Sequence, residues 1–336
     1  MEFRLVCLTF AAEKVHEFTG SPVGDLQLVN LRTCELVNYQ SMAGQLKEVR
    51  NRIKSVQSTQ QITKAMKMVS AAKLRRAQDA IIQMRPYARK LQEMLSNIVS
   101  NTEVEGGNTL AVERPVERVL LLVITSDRGL AGAYNANIIK LAKLLVRENY
   151  SAQFSRGNVT VWSIGKKGYE HFAKIGGYNV TDTHKDIFLN LSFENVQKAA
   201  QAAVQAFRNR EFDRVEIVYS EFKNAATQRY VTEQFLPIPK AENTTGTTTK
   251  ADFIFDPSQE ELIAELMPKI LNTQLYKAVL DANASEHGAR MTAMDKASEN
   301  ANELLKNLKI SYNRARQAAI TTELTEIVSG AAALQG

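Results

Sequence analysis

Two stretches, one at each end of this 336-residue chain, continue for so long without a helix breaker that a rounded globule cannot contain them. Between Ala43 and Ser100 only Gly44 and Pro86 interrupt helical composition, and after Pro268 only Gly288 and Gly330 do so before Ala333. At 1.5 Å per residue these runs of 58 and 65 residues predict rods of about 87 and about 98 Å. Pro86 removes one backbone donor and is expected to bend its helix locally rather than end it. In the first run, Leu46, Val49, Ile53 and Val56 fall on coiled-coil steps of three and four. After a polar stretch at 57–61, apolar residues resume at Ile62, Met66, Val69, Ala77, Ala80 and Met84. In the second run, Ala289, Ala293, Ala297 and Ala301 make a narrow stripe that lets another helix lie close, and Leu304, Leu308 and Tyr312 extend it. The two runs are expected to pair with each other.

The middle of the chain alternates strand and helix. Residues 118–125 (RVLLLVIT), 159–164 and 215–220 read as buried strands, with helical periodicity at 133–147 and 194–210. Strand–helix–strand order implies a mainly parallel sheet with right-handed crossovers. The polar stretch 240–250 reads as an exposed loop. The expected fold is therefore α/β: a long antiparallel coiled coil of N- and C-terminal helices plus a central Rossmann-like α/β domain. Its parts are an extension at 1–41, a coiled-coil helix at 42–100, the α/β domain at 101–257 and a second coiled-coil helix at 258–336. A domain of about 140 residues is only about 40 Å across, so rods of such length are expected to project from it as an antiparallel pair. Residues 1–41 read as an upstream extension with little structure, a short docking strand being the alternative. They carry neither a secretory signal pattern nor arginine-rich transit composition, and Met42 looks like a natural start.

Charge is uneven. Residues 43–100 hold 12 basic and 3 acidic side chains, an excess larger than the +6 of the whole chain. Lys64, Lys67, Lys73, Arg75 and Arg76 crowd one short stretch, which suits an acidic protein surface, phosphates or anionic lipid. Nucleic acid is the generic reading of such a cluster, yet Tyr87 is the only aromatic residue between Ala43 and Ser100, so no base-stacking platform is evident. The motif SDRGLAG at 126–132 follows a strand and precedes a helix, where α/β proteins bind phosphates, but it lacks GxGxxG spacing. GKKG at 165–168 lacks the P-loop pattern, and turn glycine plus helix cap is the plainer account of both. Cys7 and Cys34 make no disulfide framework or CxxC zinc site, and the four histidines lack metal-ligand spacing. No catalytic residue, cofactor or metal is expected.

Residues 42–78, MAGQLKEVRNRIKSVQSTQQITKAMKMVSAAKLRRAQ, closely resemble the amino-terminal helix of the gamma subunit of F-type ATP synthase. Residues 289–334, ARMTAMDKASENANELLKNLKISYNRARQAAITTELTEIVSGAAAL, resemble that family's carboxyl-terminal helix, and SDRGLAG and GKKG occur in the same order. Ala131 stands where many relatives have cysteine, and no chloroplast-type regulatory insert is present.

The resemblance implies a non-catalytic rotor shaft, coupling ion flow through the membrane c-ring to ATP synthesis or hydrolysis at beta-subunit sites by asymmetric rotation. It implies as partners three alpha and three beta subunits, the epsilon subunit and the c-ring, with no nucleic acid. Membrane association is then indirect, on the cytoplasmic side of the cell inner membrane, or on the mitochondrial matrix face as the alternative. By motif match, Lys64, Met66 and Lys67 lie where the family meets acidic beta-subunit loops. Arg75 and Arg76 continue the same electrostatic track. Arg316, Gln317 and Thr321 resemble the residues that hydrogen-bond a beta subunit as a catch, and the apolar tip at 327–334 suits a hydrophobic bearing.

Overall fold

In the computed structural model, β1 (Val119–Ile124) is buried at every position, and its alternate residues supply two different cores. Leu120, Leu122 and Ile124 point to one face, Val119, Leu121 and Val123 to the other. A strand covered on both sides cannot alternate polar and apolar residues, which is why its sequence is an unbroken apolar run. The structure describes residues 23–101, 110, 113–225, 227–238 and 259–335.

The chain divides into two units, one built from the described residues up to Gln60 and from Asn300 onward, the other from Gln61–Glu299. The elements are α1 (Val23–Asn101), β1, α2 (Tyr134–Asn149), α3 (Ser151–Ser155), β2 (Val159–Ile164), α4 (Lys166–Lys174), β3 (Asn179–Thr181), α5 (Phe193–Arg208), β4 (Arg214–Phe222), β5 (Gln228–Leu236) and α6 (Gln259–Gln335). The sheet order is β3-β2-β1-β4-β5, parallel throughout except for β5, which runs antiparallel to β4. The three expected strands are present; β3 and β5, shorter or more polar, add the two edges. The loop expected at 240–250 lies outside the described residues.

Within the Gln61–Glu299 unit, α2 covers one face of the sheet through Tyr134, Ile138, Ala142 and Val146. The other face is covered by α5 and, unexpectedly from sequence, by the base of α6, where Leu271, Leu275, Ala278, Val279 and Ala282 join the core. The carboxyl-terminal helix is therefore rooted in the α/β core, where burial of Leu271, Leu275 and Val279 at about 1.5–3 kcal/mol each, with the two alanines adding less, makes that joint stiff.

Helix α1 covers Val23–Asn101 and so includes residues 23–41 of the expected extension; residues 1–22 lie outside the described ones. The reason is visible in the sequence, which has no proline from Val23 to Arg85 and abundant helix formers such as Leu26, Leu28, Leu31 and Leu36. Pro86 lies inside α1 without ending it. Pro268 likewise lies inside α6, nine residues after its start at Gln259.

The two long helices run antiparallel in each unit. In one, Arg50 donates to the Tyr312 hydroxyl at 2.9 Å, and Gln60 bonds Asn302. In the other, the Thr63 and Ser298 hydroxyls are 2.8 Å apart and Lys67 pairs with Asp295 at 2.5 Å. The positions turned inward on α1 are Thr63, Lys67, Ser70, Leu74, Ala77 and Ile81, alternating steps of four and three. This differs from the seam expected through Ile62, Met66 and Val69. The heptad continues in register from Val56 through Gln60 into the polar residues, because Ser298 and Asp295 supply partners for them. On α6, Leu305 rather than Leu304 turns inward, after Met294 and Ala301.

Candidate functional site

The displaced register leaves an unusual surface on α1. Ile62 and Val69 are each 57% exposed and Met68 is 60% exposed, although none of the three faces α6. At 100° per residue, Lys64, Met68 and Arg75 form one edge of this face. Ile62, Val69, Lys73 and Arg76 form the other, with exposed Ala65 and Ala72 between them. The floor is small and apolar, and the rims are basic. Neighbouring exposed apolar groups with a polar rim are a pattern shared with protein contact surfaces.

The structure separates the candidates that sequence grouped together. Lys64, Arg75 and Arg76 are exposed on this face, and Met66 is half-buried. Lys67 turns toward α6 and its ammonium is held by Asp295. In the other unit, Arg316, Gln317 and Thr321 are exposed on α6, the Thr321 hydroxyl donating to the Gln317 carbonyl at 2.9 Å. Ile320, Leu324, Ile327 and Val328 are exposed nearby in sequence, so this end of α6 also presents uncovered apolar groups. Ile62 and Val69 were missed as surface residues from sequence. Counting the heptad through the polar positions Gln60 and Thr63 is the signal that places them outside.

The SDRGLAG loop occupies the place where α/β sheets hold ligands, beyond the carboxyl end of β1 and beside β4, where the connections diverge to opposite sides. Here that crevice is closed by the protein itself. Arg290 of α6 donates to the carbonyls of Arg128 at 3.0 Å and Gly129 at 3.2 Å, and its other nitrogen is bonded to Glu286. Ser126 and Asn135 bond each other across the turn. Gly165 caps α4 with φ +108°, and a Cβ there would lie 2.2 Å from the Thr125 carbonyl oxygen. The glycines thus serve turns and close packing, as the plainer sequence account has it.

Electrostatics reinforce this. Burial raises the Glu286 carboxyl above its ordinary value despite Arg290 beside it, and burial raises Asp127 against the pull of the Lys166 backbone N–H and ammonium. His287 is pushed down to about 4 by burial, with the Arg290 and Lys73 charges adding to the effect. No group of His, Cys, Asp or Glu among the described residues is arranged to hold a metal ion.

A chain whose uncovered surfaces are helix faces, and whose ligand crevice is filled by its own arginine, falls in the class of subunits that work by contact with other chains. A family model described as ATP synthase matches residues 45–334. The ATP synthase gamma chains of Cytophaga hutchinsonii and Flavobacterium johnsoniae are 55% and 52% identical, over 86% and 87% of this chain and 98% and 99% of theirs. The chain belongs to the ATP synthase gamma chain family. Its fold is shared with the rotor of the Euglena gracilis mitochondrial ATP synthase, at a TM-score of 0.58 and 21% identity over 83% of this chain and 99% of that one.

Proposed function

We propose that this chain couples ion flow to ATP synthesis and hydrolysis without doing chemistry itself, by presenting unequal helix faces to subunits that own the nucleotide sites. The single observation that carries this is the exposed face around Ile62, Met68 and Val69, rimmed by Lys64, Arg75 and Arg76. A shaft biases a neighbouring site only by contacting its conformations unequally, and a face confined to one side of a helix does that as it turns. The basic rims suit acidic loops of a beta subunit, and Arg316, Gln317 and Thr321 suit a hydrogen-bonded catch on a second contact. Lys67 is better placed to hold α1 against α6 than to reach a partner, so its role in the acidic-loop contact is secondary.

The partners in this reading are three alpha and three beta subunits, an epsilon subunit and a c-ring. Membrane association is indirect, on the cytoplasmic side of the cell inner membrane; no described helix is long and apolar enough to cross a bilayer. Filling of the sheet crevice by Arg290 supports a non-catalytic role. Reconstitution tests the proposal: added to a ring of alpha and beta subunits, the purified chain is expected to raise rotation-coupled ATP hydrolysis. Binding to the ring without coupling would overturn it.

A further inference from the structure

We propose that the groove between α2 and α4 is a binding site for a short chain of linked phosphates, read by its charge and not by a base. The two helices lie on the same face of the sheet, each following one of two paired parallel strands. The groove between them measures about 680 Å³ and lies wholly within the Gln61–Glu299 unit. At 100° per residue, Lys140, Lys143 and Arg147 fall within about 60° of one another on α2, and Lys167 and Lys174 within about 20° on α4. Each wall therefore carries a strip of cations about 10 Å long.

Against these five cations the lining sets one carboxylate, Glu170, which Lys167 holds at 2.6 Å. Both members of that pair are well exposed, so the pair is weak and an incoming anion can take its place. Lys140, Lys143, Arg147 and Lys174 form no ion pair among the described residues. Arg147 and Lys174 stand in the last turns of their helices, where the helix dipole favours a cation, so they have a local reason to be basic. Lys140 and Lys143 lie in mid-helix and lack that reason, and with Arg147 they set like charges three and four residues apart. A bound anion relieves this repulsion. His171 supplies a second sign: its Nε2 is buried beside the lysines with no hydrogen-bond partner, a nitrogen that a phosphate group can satisfy. Burial, and after it the Lys143 charge, holds this imidazole below its ordinary range.

The class of ligand follows from the kind of cation and from its layout. Four of the five are lysines, compact point charges that meet a flexible, charge-dense anion without the fixed fork that arginine offers a planar carboxylate. A lone phosphate reaches one or two of them, whereas a chain of phosphates runs between both strips. The one ring among the lining residues, His171, is packed against Phe172 at a centroid separation of 5.7 Å, so the groove offers no free aromatic platform for a nucleobase. This inference does not depend on the rotor reading, since none of these residues belongs to the contact faces described above.

The test titrates tripolyphosphate into the full chain by isothermal titration calorimetry and follows His171 by NMR of protein carrying isotope-labelled histidine. The proposal predicts saturable one-to-one binding, at least about tenfold tighter than that of orthophosphate. It predicts a loss of at least about tenfold in Lys140→Gln/Lys143→Gln and, from the opposite wall, in Lys167→Gln/Lys174→Gln, each checked for an unaltered melting curve. Saturation is also expected to raise the pKa of His171, because the phosphate charge offsets that of Lys143. Lys198→Gln/Arg208→Gln, exposed on α5 across the sheet, leaves both readings unchanged. Equal binding by the wall variants, equal affinity for orthophosphate or an unmoved His171 overturns the proposal. So does binding of phosphatidylglycerol vesicles or of a single-stranded oligonucleotide through these lysines that tripolyphosphate does not displace, because the groove would then read a membrane surface or a nucleic acid.

Discussion

Arg290, on the carboxyl-terminal helix, donates a hydrogen bond to the backbone carbonyl of Arg128 at 3.0 Å, across 162 residues of sequence. That bond fixes the turn after the central strand to a helix that also enters the sheet's core. The joint is charged and dry: Arg290 and Glu286 are 8% and 7% exposed and bonded to each other. Removing one partner leaves the other as an uncompensated buried charge. Arg290→Met is therefore expected to lower the unfolding free energy by about 3–5 kcal/mol, whereas Arg290→Met/Glu286→Leu recovers much of the loss. Urea denaturation of the single and double variants checks this.

His287 adds a pH dependence next to that joint. Its folded pKa is about 4, below the ordinary 6.5, because burial and then the Arg290 and Lys73 charges oppose protonation. The unfolded chain thus binds the proton first as pH falls through 6.5, and stability is lost from there down toward 4. Linkage puts the loss between pH 7 and pH 5 at about 2 kcal/mol. Glu286 acts with the opposite sign, since a raised carboxyl costs stability as pH rises above its ordinary 4.5. Comparing the intact chain with His287→Gln at both pH values isolates the histidine. Its contribution is assigned wrongly if the two lose stability in parallel on acidification.

Two glycines of the candidate phosphate motifs separate by geometry. An alanine at Gly165 would need φ +108° and a Cβ 2.2 Å from the Thr125 carbonyl oxygen, while a Cβ at Gly129 meets nothing within 4 Å. Gly165→Ala is expected to cost at least about 3 kcal/mol or prevent folding, and Gly129→Ala less than about 1 kcal/mol. Thermal melting of the two variants side by side decides it.

The α/β order, the three central strands and the pairing of the terminal helices were legible because each rests on a local pattern: an apolar run, a helical period, an absence of breakers. The seam between the helices was not. Ile62 and Val69 look like natural core residues, and only the complementary polar partners on α6, Ser298 and Asp295, keep Thr63 and Lys67 inside instead. That information is 228 or more residues away in the chain. The role of Arg290 was equally hidden, since one arginine on a long helix carries no mark that it will close a crevice. By contrast, the family motifs had already singled out Lys64, Arg75, Arg76, Arg316, Gln317 and Thr321, all of which are exposed.

Lys67 and Asp295 give a prediction that separates holding the shaft together from touching a partner. Both side chains are nearly half exposed, so their pair is screened and a double-mutant cycle is expected to give at most about 1 kcal/mol of coupling in stability.

The exposed side chains proposed to meet a partner should behave in the reverse way, since they are not packed inside the chain. Lys64→Glu/Arg75→Glu, Gln317→Ala and Thr321→Ala replace exposed groups, so helicity and melting temperature are expected to remain close to the parent. Thr321→Ala loses only the hydroxyl bond to the Gln317 carbonyl in its own helix. Coupled ATP hydrolysis in the reconstituted ring is nevertheless expected to fall, several-fold for the charge reversals and less for the single truncations, because a contact that differs between states of a partner is worth typically 1–3 kcal/mol. If the charge-reversed chain couples as well as the parent while Lys67→Ala does not, the working face of α1 is the inner one, and the assignment of its outer face to a partner fails.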